Sequence, residues 1–145
     1  MVDLHAMRSL LAATLLLTAC GSGSDATPAQ IAEAYLRAGS AQNEAEIRAN
    51  LDPACHSDQA MTRVDSVRMM GAPITIETLT VTPVETGEER ATVRYEVAGP
   101  AHGSGGTQEI FGVTVTTGEV DIAHAEQSGT LTLTKHDGRW VVACP

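Results

Sequence analysis

The chain has 145 residues, 43% of them hydrophobic but only 3% aromatic, so one modest and mostly aliphatic core is the most it can bury. Acidic residues outnumber basic ones 18 to 9, a formal charge of −9. A surface of that sign repels phosphate backbones and anionic headgroups, which excludes nucleic acid as a partner and a basic patch as a membrane contact.

The first element is a leader. Arg8 precedes an apolar run from Leu10 to Leu17, and small residues lead to Cys20 and Gly21. That succession describes an export signal, with Met7-Arg8 a cleaner start than one containing Asp3 and His5. Ser9 to Ala19 is well short of the roughly twenty residues that span a bilayer. Leu17-Thr18-Ala19-Cys20 resembles the lipobox of bacterial lipoproteins. The resemblance implies that residues 1–19 are removed and that Cys20 carries a diacylglyceryl group. It also implies a chain held on the extracytoplasmic side of a cell membrane or outer membrane. Removing 1–19 takes away one charge of each sign (Asp3 and Arg8) and leaves −9. Residues 20–27, with Gly21-Ser22-Gly23-Ser24-Asp25, form a flexible tether, and 28–145 form a single domain.

Thr27, Pro28 and Gln30 make a helix start of the capping-box type. Ile31, Tyr35 and Ala38 recur at helical spacing, with Gly39 as the stop. Asn43 and Glu46 open a second helix carrying Ile47 and Leu51, which Asp52-Pro53 ends. A third helix is expected over about Asp58–Met70, with Met61, Val64 and Val67 as its stripe and Gly71-Pro73 as its end. With Cys20 assigned to lipid, Cys55 and Cys144 remain, and an even pair outside the cytoplasm favours a disulfide. Two free buried thiols or a metal site are the alternatives. Only His56 adjoins either cysteine, so no metal is expected.

From Pro73 onward the period is two. Ile74 and Ile76 alternate, then Leu79 and Val81 in the opposite phase, which places a bulge at Glu77-Thr78. Ala91, Val93, Tyr95 and Val97 form the clearest inward face. Residues 99–107 read as a glycine-rich loop. Phe111, Val113 and Val115 read as the next strand face, Val120 and Ile122 as the start of another strand, and Leu131 and Leu133 as inward positions of a further one. Asp137-Gly138 is a hairpin turn, and Trp140, Val142 and Cys144 share the last face.

Helices followed by about six antiparallel strands give an α+β fold with N-terminal helices packed on a bent antiparallel sheet. That order, with the closing Leu131–Val142 hairpin, resembles the nuclear transport factor 2-like (cystatin-like) superfamily over residues 28–145. The resemblance implies a cone between sheet and helices, used in that superfamily for catalysis, for binding or for pairing. No stretch matches the acid-base and oxyanion motifs of its isomerases and cyclases, so no catalytic residue and no cofactor is assigned. Two side chains are placed as pocket residues: Tyr35 on the first helix, and His124, which the alternation Val120, Ile122 carries with Glu126 onto the apolar face. The function expected is a non-enzymatic envelope protein that holds an apolar small molecule or lipid, with docking on another envelope protein as the alternative. An isomerase- or cyclase-type enzyme is the third reading.

Overall fold

The computed structural model describes residues 25–57, 67–104, 106–116 and 118–144. Cys20, most of the tether, and Met61 and Val64 of the expected third helix lie outside them. Helix α1 spans Pro28–Ser40. The Gln30 amide donates to the Thr27 hydroxyl at 3.3 Å, and the Thr27 amide donates to the Gln30 carboxamide at 2.9 Å. The two bonds satisfy donors that a helix start leaves open, and Pro28 has no N–H to satisfy. Ile31, Ala32, Tyr35, Leu36 and Ala38 are buried along one side. Gly39 does not stop the helix. It lies inside it, close to Val67, and the chain turns away through Gln42 in the left-handed region.

Helix α2 spans Glu44–Asn50, capped by the Asn43 side chain on the Glu46 amide, with Ile47 buried. A single 3-10 turn, Pro53–Cys55, follows. The third helix does not reach Met70. Arg68–Met69 (β1) pairs antiparallel with Ala72–Pro73 (β2), and both Met70 (φ 51°) and Gly71 (φ 85°) are left-handed. Two successive positive φ values make a tight hairpin and are incompatible with a helix.

The main sheet has four antiparallel strands in the order β3-β4-β7-β8: β3 Thr78–Thr86, β4 Arg90–Gly103, β7 Val120–His136 and β8 Arg139–Val142. Between β4 and β7, β5 (Thr107–Ile110) and β6 (Val113–Thr116) make a two-stranded sheet of their own. The class is α+β, as the pattern predicts, but the strands are partitioned differently. The glycine-rich stretch is strand through Gly103, pairing with residues 120–125 of β7. Ala101 there is wholly buried. Gly99 has no room for a side chain, since a Cβ would overlap the Thr75 carbonyl. Val120 and Leu133, expected on separate strands, share one strand of 17 residues.

Near the expected slip, Thr75 and Glu77 donate to the carbonyls of Pro100 and Ala98. Ile74, Ile76, Leu79 and Val81 all meet the core across that change of phase. The core joins α1's buried side to Val93, Val97, Leu133 and Val142 of the sheet, and its largest fully buried side chains are aliphatic. Trp140 is partly buried beside it, with the Lys135 ammonium 5.2 Å from its ring centre. At the β8 edge, Leu51 bridges Val142 in parallel and the Asp52 amide donates to the Val142 carbonyl at 2.8 Å. The edge is thereby covered by the chain's own backbone.

Candidate functional site

The expected pocket pair is not brought together. Tyr35 is buried among the core residues of α1. His124 is 63% exposed and bonds the Glu126 carboxylate at 2.9 Å. The cause is a bulge. Ala101 pairs with Ile122 and Gly99 with Ala125, so Ala123 and His124 together face the single residue Pro100. The extra residue reverses the alternation on β7. Val120 and Ile122 face the core before it, Ala125, Leu131 and Leu133 after it, and His124 and Glu126 turn to the outer face. Proline cannot donate to the ladder, so a bulge opposite Pro100 sacrifices no bond from that residue.

The outer face is polar. His102, which the sequence places in a loop, lies on β4 opposite Asp121 and meets its carboxylate at 2.9 Å. An open depression of about 550 Å³ lies nearby, floored by Ala98 and bordered by Thr78, Thr80, Glu96, Glu126 and Ser128. Hydroxyls and carboxylates of solvent-facing strand positions line it, with no greasy wall. Among the described methionines after the leader, Met69 is partly buried and Met70 stands exposed at its turn. His56 places Nε2 3.1 Å from the Leu51 carbonyl. Among the described residues, no group of three His, Cys, Asp or Glu side chains is arranged to hold a metal ion, and no helix is long and apolar enough to cross a membrane.

Cys55 and Cys144 are joined in a disulfide with Cα atoms 5.5 Å apart. Cys55 is fully buried at the end of the 3-10 turn, and its partner lies two residues beyond β8. The bond fastens the Leu51–Cys55 segment along the β8 edge.

The feature that sequence reading missed is the β5-β6 hairpin. Its turn is Phe111-Gly112, with φ of 52° and 76°, so Phe111 occupies a turn tip and not a strand. A phenylalanine at positive φ is uncommon, and nothing in an alternating pattern announces it. The face that the alternation marks out is turned to solvent. Phe111 is fully exposed, and Ile110, Val113 and Val115 are exposed by 46%, 62% and 43%. Ile110 pairs with Val113, and the period of two places Val115 beside them, while Thr107, Glu109, Thr114 and Thr116 take the other face. The hairpin is thus amphipathic and carries its apolar residues into solvent. No protein-family model matches the chain, and no curated protein matches it.

Proposed function

We propose that the chain is a lipid-anchored extracytoplasmic protein of the bacterial envelope, without catalytic activity, that docks on another envelope component. The observation that carries this reading is the exposed apolar face of β5-β6. Isolated surface hydrophobes need no explanation, but a contiguous apolar patch at the end of a projecting element is the mark of a contact site. The lipobox-like Leu17–Cys20 supports the anchor, with Cys20 as the lipidated residue. The order of two helices and then antiparallel strands supports the nuclear transport factor 2-like reading, in which the space beneath α1 corresponds to the cone. Tyr35 and Leu36 occupy that region with the core side chains of β4 and β7. An apolar small molecule held in the cone is therefore the weaker alternative.

A photo-reactive residue in place of Phe111, in the full chain expressed in its own envelope, tests the reading. An adduct with another envelope component is expected. The same yield of adducts from a control position on the polar outer face, such as Thr82, would overturn it, because contact would then not be directed by the hairpin.

A further inference from the structure

The occupant of the hairpin follows from its size, its charge and its tether, an argument that rests on the lipid-anchored reading above. Two strands alone are marginal in water, so β5-β6 gains most from a surface that covers it. The exposed apolar area of Ile110, Phe111, Val113 and Val115 is on the order of 400 Å², from typical side-chain areas. A stable protein–protein interface takes about 800 Å² from each partner, roughly twice that. A bilayer asks for no such matching area, only for a few apolar side chains at the boundary of headgroup and acyl chain.

Charge selects the same occupant. From Gly103 to Thr117 the one charged residue is Glu109, and it lies on the hydroxyl-bearing face with Thr107, Thr114 and Thr116. On a protein of net charge −9 the hairpin is a nearly neutral island. The tether keeps the domain as a whole near the bilayer. Ala26 already packs against the core, so five residues separate it from Cys20, a reach of about 20 Å at full extension.

We propose that the β5-β6 hairpin is a second membrane contact. Phe111 and its neighbours Ile110 and Val113 enter the outer part of a lipid leaflet, with the threonine face turned to the headgroups. Entry to the interfacial depth of about 5–10 Å leaves the turn's backbone groups within reach of water, which the hydrocarbon interior would deny them. The favoured lipid has a headgroup without net negative charge, because the rest of the surface repels anions.

The test uses the full lipidated protein carrying Phe111→Trp, mixed with phosphatidylcholine vesicles brominated near the headgroup end of the acyl chains. Wild type, whose one tryptophan is Trp140, sets the background. Flotation with the vesicles is read first and reports the anchor. Loss of the added tryptophan's emission, beyond the wild-type loss, is expected. A protein that floats while the added tryptophan is quenched no more than Trp140 overturns the hairpin contact and leaves the anchor standing. A protein that fails to float overturns both. Quenching in a Cys20→Ala protein, where no lipid is attached, supports the hairpin and counts against the anchor as its only route to the membrane. Adducts from position 111 that fall on a protein and never on lipid would also overturn it.

Discussion

Gly129 lies opposite Tyr95 in the β4-β7 ladder, and a Cβ placed there would stand 2.8 Å from the phenol oxygen and 3.0 Å from two ring carbons. The tyrosine ring fills the place of the missing side chain, as aromatic neighbours do beside strand glycines. Gly129→Val therefore forces the ring out, and a loss of about 1–3 kcal/mol is expected in urea denaturation. Burial also pushes the Tyr95 phenol above its ordinary value of 10.0. The neutral phenol is the form that the fold accepts. Its contribution is complete below pH 10.0 and is lost as pH rises through the raised value. In Tyr95→Phe that alkaline decline should shrink, and a late-ionising phenol should vanish from the phenolate absorbance curve. Loss instead of a phenol that ionises at the ordinary value would place Tyr95 in water. The same scale explains the fate of His124. One extra residue opposite Pro100 decides which way it points, and no pattern within β7 reveals what a partner strand will place across from it.

Elements fixed by local chemistry were legible. The capping box at Thr27, the Asn43 cap and the Asp137-Gly138 turn, both of whose residues are left-handed, all read directly from neighbouring residues. Thr27→Ala should cost about 1 kcal/mol, measured by thermal melting against wild type. Elements fixed by distant partners were not legible. Gly99–Gly103 is strand because residues 120–125 lie beside it, and glycine's weak propensity yields to that pairing. Phe111-Val113-Val115 has the alternation of a buried strand without the burial, since period reports a face but not what covers it. The disulfide belongs between these cases: cysteine count and compartment suggest it, but only the fold brings residues 89 positions apart within 5.5 Å. Replacing both cysteines by alanine should lower stability by about 4 kcal/mol in the chain-entropy model, read from the denaturation midpoint under oxidising conditions. A shift no larger than that of an ordinary surface substitution would mean that the bond constrains little. Trp140→Ala should cost about 3 kcal/mol, at the low end for large aromatic deletions because the ring is only partly buried.

Across the whole molecule, the class of fold was readable and the exposed apolar hairpin was not. Helices followed by alternating strands lead to α+β from composition and period alone, whereas an exposed hairpin becomes visible only once the rest of the chain has packed without it. Cys20→Ala should release the domain from membranes or leave an uncleaved precursor in fractionation, and normal processing with full retention would contradict the anchor. The long pairing of β4 with β7 has a consequence in time. β8 reaches only Leu133–His136 of β7, but β4 is interior from Ala91 to Ala98, between β3 and β7, so its central amides have no local route to solvent. Their hydrogens should exchange with deuterium only when the entire domain opens, while those of the two-stranded β5-β6 sheet exchange through small openings many orders of magnitude more often. One molecule would then present a slow, nearly immutable frame and a quick, renewable tip, and only the tip's exchange should slow when something binds it.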